Sequence, residues 1–133
     1  MALPDLLVDH IGIINKREDE AVKFYQSILG LEKIRESLVP AELSRQLFDL
    51  FQEIKMLVFG REGIKVEVFI IPGFTPPCPN IFHFCLQIFQ FPDLLERLDQ
   101  AGAKVTIGQH SGKTVYFTED FSGNRVELKP LPP

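Results

Sequence analysis

The sequence predicts an α+β protein made of two βαβββ modules. Three observations carry this expectation. Alternating strand-like runs and one amphipathic helical stripe occur in the same order in each half of the chain. The halves are separated at 72–80, where Pro72, Pro76, Pro77 and Pro79 cannot sit in a sheet ladder. The run that closes each half carries a mid-strand glutamate, Glu67 and Glu127, in a position where glutamate is depleted. The expected organisation is one domain over 1–133, with module one at about 8–72, a linker at about 72–80 and module two at about 81–130.

Each element follows from local pattern. Residues 8–15 read as a strand with Ile11 and Ile13 on one face and His10, Gly12 and Ile14 on the other. Over 16–29 the spacing turns helical, with Ala21, Phe24, Tyr25 and Ile28 forming a stripe. Glu18, Asp19 and Glu20 favour the start of that helix, and Gly30 ends it. A strand over 31–39 stops before Pro40, and 41–52 reads as an added short helix with Leu43, Leu47, Phe48 and Phe51 on one side. Strands at 54–59 and 64–71 join through Gly60-Arg61-Glu62-Gly63. After the proline-rich break the order repeats. A strand runs over 81–89, and Pro92 opens a helix striped by Leu94, Leu95, Leu98 and Ala101 that ends at Gly102. Short strands follow at 104–107, 114–118 and 125–129. Tyr25 reads as a core residue and His110 as a loop residue.

Bulk properties narrow the function classes. The chain has 133 residues, 45% hydrophobic and 24% charged, which suits a folded domain with its own core. A net charge of −4 argues against nucleic-acid or anionic-membrane partners. Cys78 and Cys85 form neither a disulfide framework nor a zinc-finger pattern. The first residues lack a basic, then apolar, leader, and no run approaches a membrane span, so the expected setting is the cytoplasm.

Candidate chemistry comes from the repeat. His10 and His83 lie in the first strand of their modules, and Glu67 and Glu127 in the last. Period two puts all four opposite the apolar faces that should pack on helices. If the two sheets pair about a pseudo-twofold axis, the four side chains converge in one cleft. Two imidazoles and two carboxylates suit a divalent cation such as Zn²⁺, Ni²⁺, Co²⁺, Mn²⁺ or Fe²⁺. Cys85 shares a face with His83, and Arg45, Arg61 and Arg125 are candidate contacts for an anionic tail, with a solvated surface the simpler reading for Arg45 and Arg61.

Asp9-His10-Ile11-Gly12, then Ala21-Val22-Lys23-Phe24-Tyr25 and Leu29-Gly30-Leu31, resemble the opening of the vicinal oxygen chelate superfamily, also called the glyoxalase/bleomycin resistance/dioxygenase group. Asp120-x-x-Gly123-Asn124-x-x-Glu127-Leu128 is similar to its closing motif, so the resemblance spans about 8–130. It implies two βαβββ modules forming a cupped mixed sheet around a metal cleft, with His10, Glu67, His83 and Glu127 as ligands. That His-Glu-His-Glu set is similar to bacterial glyoxalase I, which implies a lactoylglutathione lyase-like, metal-dependent lyase or isomerase. Ni²⁺ or Zn²⁺ is the implied ion, with Co²⁺, Mn²⁺ and Fe²⁺ as alternatives.

In the expected chemistry, proton transfer next to a carbonyl proceeds through a metal-bound enediolate, with Glu127 or Glu67 as general base. Methylmalonyl-CoA epimerases, which usually have Gln at the position of Glu67, offer one alternative. A non-catalytic drug-binding protein of the bleomycin-resistance type is the other. The 41–52 insertion and the proline-rich crossing depart from glyoxalase I. The expected partners are a small-molecule substrate and a second copy of the chain in a homodimer, with neither nucleic acid nor membrane.

Overall fold

Alternation builds two sheets. In the computed structural model, which describes residues 2–132, β1 (Ile11–Asn15), β2 (Glu32–Val39), β3 (Ile54–Arg61) and β4 (Ile64–Ile70) pair in the order β1-β4-β3-β2. A second sheet has β5 (His83–Ile88), β6 (Val105–His110), β7 (Lys113–Glu119) and β8 (Arg125–Pro130) in the order β5-β8-β7-β6. In each sheet the first strand runs parallel to the last, and the other pairs are antiparallel. The register repeats as well: Gly12 lies beside Glu67 in one sheet, and Cys85 beside Glu127 in the other. The fold is thus α+β in two βαβββ modules, each with a mixed four-stranded sheet.

Helix α1 starts as one α-helical turn (Glu18–Ala21) and continues in the wider π form (Val22–Ile28). Despite the changed pitch, Ala21, Phe24, Tyr25 and Ile28 stay at 0–3% exposure. Gly30, at φ 77°, ends the helix in a left-handed conformation where a Cβ would be strained. Helix α3 (Phe91–Gln100) takes Pro92 in its first turn and buries Leu94 and Leu98. Side chains of α1 and α3 meet Leu57, Phe59, Val66 and Val68 of one sheet and Val126 and Leu128 of the other in a single apolar cluster. Burying those aliphatic and aromatic side chains, at about 1.5–3 kcal/mol each, is what holds the modules together. Among the described residues no helix is long and apolar enough to cross a membrane.

The inserted helix α2 is shorter than expected. It spans Ala41–Phe48 and stops at Asp49, which takes a left-handed φ of 56°. Leu43, Leu47, Phe48 and Phe51 are 41–81% exposed, so their side is not core. The residue that α2 buries is Ser44, and Phe48 sets its ring edge-on to Phe69 at 5.6 Å. His110 ends strand β6 instead of lying in a loop, because the turn is only Ser111 and Gly112, both at positive φ (50° and 76°).

A polar network also joins the modules. Asp120 is 3% exposed and accepts hydrogen bonds from the Tyr25 hydroxyl at 2.7 Å, the Asn15 amide at 3.0 Å and the Asn124 amide at 2.8 Å. Its other oxygen accepts from the backbone N–H groups of Ser122 and Asn124. The same Asn124 amide donates to the Ile14 carbonyl at 2.7 Å, fastening the turn before β8 to β1. Tyr25 is therefore core with a polar duty. Asp120→Ala would orphan several buried donors, and a loss of about 2–4 kcal/mol is expected in urea unfolding.

Tyr25→Phe leaves Asp120 its other partners and should cost about 1–2 kcal/mol near neutral pH. Burial first, then the Asp120 charge and hydrogen bond, hold the Tyr25 hydroxyl well above its ordinary pKa of 10.0. The unfolded chain loses that proton first, so stability contributed by this group is full below about pH 10 and falls as pH rises beyond it. The alkaline loss should shrink in Tyr25→Phe.

Candidate functional site

The strand period places both glutamates away from the core. Val66 and Val68 flank Glu67 at 0% exposure, and Val126 and Leu128 flank Glu127 at 0% and 1%, so each carboxylate projects from the opposite face. His10, just before β1, brings Nε2 to 3.1 Å from Glu67 Oε1. His83, the first residue of β5, brings Nε2 to 3.4 Å from Glu127 Oε1. The repeat thus yields the same histidine–glutamate pair once per module.

Each histidine is also held from behind. The Nδ1–H of His83 donates to the Ile81 carbonyl at 2.8 Å, and a carbonyl oxygen can only accept. The Nδ1 of His10 lies 2.8 Å from Asp9 Oδ2. That hydrogen bond, and next the charge of Lys65, keep the Asp9 carboxyl below the usual carboxylate range, so it too accepts. In the neutral ring both Nε2 atoms then present a lone pair toward a carboxylate. Either a proton or a metal cation between nitrogen and carboxylate satisfies that arrangement, and a carboxylate or carbonyl behind a histidine is the usual support of a metal-ligating ring. The spacings agree with that chemistry. Ligand atoms about 2.0–2.2 Å from one ion lie about 3 Å apart at octahedral angles and about 3.4 Å apart at tetrahedral angles.

The four side chains form two pairs, and among the described residues no group of three or more His, Cys, Asp or Glu side chains gathers where it could hold a metal. The strands explain this. β1, which follows His10, and β5, which begins with His83, are edge strands of separate sheets with no ladder between them. A gap of about 290 Å³ beside them is bordered by Gly12, His83, Arg125 and the crossing residues Phe74, Pro76 and Pro77. A larger cavity, about 750 Å³, lies between modules near Leu29, Arg61 and Gln87 and includes none of the four.

Other candidates fall into place around this. Cys85 neighbours Glu127 in the ladder, and burial, followed by the Glu127 charge, pushes its thiol up, away from a thiolate nucleophile at neutral pH. Arg45 is tied to Glu42 on the outer side of α2. Arg61 lines the distant large cavity, whereas Arg125 borders the gap beside His83. His110 is exposed at the far end of β6. Sequence reasoning missed the support given by Asp9 and the Ile81 carbonyl. Asp9 adjoins His10 in the opening motif, a visible signal; a backbone carbonyl leaves none.

Comparison with known proteins fits this geometry. The family model for the glyoxalase/bleomycin resistance protein/dioxygenase superfamily matches residues 7–128. No curated protein matches the chain in sequence. Among solved structures, a glyoxalase family protein from Enterococcus faecalis is similar at 20% identity and TM-score 0.70, covering 92% of this chain and 95% of that one. The fosfomycin resistance protein FosX from Listeria monocytogenes is similar at 16% identity and TM-score 0.71, covering 97% and 96%. The trypanothione-dependent glyoxalase I of Leishmania major is similar at 19% identity and TM-score 0.66, covering 91% and 84%. At these identities the solved structures speak for the fold alone, while the family model spans nearly all of the sequence. The chain belongs to the glyoxalase/bleomycin resistance protein/dioxygenase superfamily.

Proposed function

We propose that this protein is a metal-dependent lyase or isomerase of the glyoxalase I type that moves a proton next to a carbonyl. The observation that carries the reading is the duplicated pair, each histidine with Nδ1 engaged and Nε2 at 3.1 or 3.4 Å from a glutamate oxygen. His10, Glu67, His83 and Glu127 would hold one divalent ion, Ni²⁺ or Zn²⁺ first. When bound, that ion supplies positive charge to two neighbouring substrate oxygens as negative charge develops on them.

The chain's own residues do the rest. The histidines and their rear hydrogen bonds fix the donor directions. Glu127 takes the proton from the carbon beside the carbonyl and returns it to that carbon or to its neighbour. Its side chain is 25% exposed against 15% for Glu67, so it is the freer carboxylate to swing. Solvent-deuterium exchange tests the class, with methylglyoxal–glutathione hemithioacetal and methylmalonyl-CoA offered separately to metal-loaded protein. Exchange of the first supports the lyase, and exchange of the second supports an epimerase. Exchange of neither leaves a small-molecule binding protein of the bleomycin-resistance type.

A cytoplasmic homodimer belongs to the same proposal. Each module carries half of the donor set, and a second copy can set module two of one chain against module one of the other. Val115 and Phe117 on the Glu127 face of the second sheet border an open hollow of about 360 Å³ with no helix over it, and Val115 is 41% exposed. Sedimentation at micromolar concentration should give about 30 kDa, twice the 15.2 kDa chain. A lone monomer at that concentration contradicts the dimer.

A further inference from the structure

Each module sets its last hairpin against the end of the other module's first strand, and the two junctions are not filled alike. At one, the residues between β7 and β8, Asp120–Asn124, close over the end of β1. Asp120 accepts from Asn15, the Ser122 hydroxyl accepts from the Lys16 N–H at 2.9 Å, and Asn124 donates to the Ile14 carbonyl. At the other, β3 and β4 turn through Glu62 and Gly63 alone. Opposite the end of β5 this shorter turn leaves the cleft of about 750 Å³, and among the described residues no hydrogen bond crosses it. Leu31, Ile64, Leu86 and Leu94 form its apolar floor. Around them stand Arg61 at the end of β3, Glu62, Glu32 at the start of β2, and Arg97, which shares the Leu94 side of α3. Arg17 and Arg45 elsewhere each close on a neighbouring carboxylate. Among the described residues neither Arg61 nor Arg97 comes within 4.0 Å of one, although Glu32 and Glu62 line the same cleft.

We infer that this cleft binds a small zwitterion of the amino-acid or dipeptide class. Its carboxylate is held by Arg61 and Arg97, its ammonium by Glu32 or Glu62, and its apolar body by the floor. A guanidinium offers a carboxylate two parallel hydrogen bonds, and here one guanidinium comes from each module. They supply to a ligand what Asn15 and its neighbours supply to Asp120 at the first junction. The two glutamates repel a polyanion and favour a ligand that brings its own positive charge. The volume falls in the range of small-ligand pockets, about 300–1,000 Å³. None of His10, Glu67, His83 and Glu127 borders the cleft, so the inference stands apart from the metal reading.

The test uses isoleucine- and leucine-methyl NMR on the full chain, because Ile64, Ile88, Leu86 and Leu94 line the cleft. Metal-free protein is titrated with leucyl-leucine, its C-terminal amide, its N-acetyl form and inorganic phosphate. Leucyl-leucine should shift these methyls saturably. The amide lacks the carboxylate and should bind at least about tenfold more weakly, since its hydrogen bonds to charged groups are lost. The N-acetyl form lacks the ammonium and should bind about threefold more weakly or worse. Phosphate should leave the methyls unmoved. Arg61→Ala and Arg97→Ala, both at exposed positions, should each weaken leucyl-leucine at least about tenfold. Arg45→Ala should leave its affinity unchanged.

No saturable shift of the cleft methyls, or unchanged affinity in both arginine variants, overturns the inference. Equal affinity of the amide shows contact with the floor alone, and equal affinity of the N-acetyl form shows a simple carboxylate site. Phosphate binding as tightly as leucyl-leucine shows an unselective anion patch. Each of these overturns the zwitterion. Methyls that respond to dilution of the protein and to none of the probes mean that a second copy fills the cleft, which overturns it as well.

Discussion

Replacing both histidines, His10→Ala with His83→Ala, is expected to abolish stoichiometric metal binding. Losing a residue that merely supports a ligand costs about 10–100-fold in metal affinity, and losing a ligand costs no less, so the double variant should fall by at least about 10²-fold. Both side chains are more than a third exposed, at 39% and 38%, so the fold should survive the change. Asp9→Ala provides a graded control. It leaves every donor in place and removes only the carboxylate behind His10, so it should weaken the ion by about tenfold. Equilibrium dialysis with Ni²⁺ and Zn²⁺ reads all three proteins. Full metal content in the double variant would remove His10 and His83 from the ligand set.

Glu127→Gln should keep the fold and retain metal, because Gln still offers an oxygen, yet lose proton transfer. Removing a general base typically costs about 10²–10⁴ in rate. The change should appear in kcat and kcat/KM together, since the base acts in the transition state and contributes little to substrate binding. Glu67→Gln should be milder, in line with the resemblance to epimerases that have Gln there. The register makes the two glutamates equivalent in their modules, so unequal effects would assign the roles by function where geometry is symmetric. Full activity of Glu127→Gln would pass the role of base to Glu67.

The helices, most of the strands and the sheet face on which Glu67 and Glu127 stand were legible in the sequence for one reason. Side chains that face a core or its opposite side repeat with the period of their element, and the stripe Ala21-Phe24-Tyr25-Ile28 and the glutamates between buried Val and Leu follow that rule. Where the outcome depends on contacts distant in sequence, the pattern was silent. The apolar side of α2 resembles a core stripe, yet Leu47 and Phe51 are 61% and 81% exposed, because α2 lies at the rim of the first sheet with Ser44 beneath it. A strand ending at 107 would leave His110 in a loop, but β6 runs on to His110. The Asn15–Asp120–Tyr25 network joins residues about a hundred positions apart, so no local spacing reveals it. The meeting of the two pairs is likewise a matter of how sheets assemble, which period-two reasoning does not reach.

Metal binding by mixed variants tests most directly whether one ion is held between module one of one chain and module two of its partner. His10→Ala and His83→Ala homodimers each have every site damaged. When the two are unfolded together and refolded in equal amounts, half of the dimers are mixed. In a mixed dimer one site lacks both histidines, while the other combines an intact His10 with an intact His83. Metal content should therefore recover to roughly one quarter of the wild-type sites, given random pairing of a twofold dimer. No recovery above the separate variants, with mixed dimers demonstrably formed, would contradict a site shared between chains.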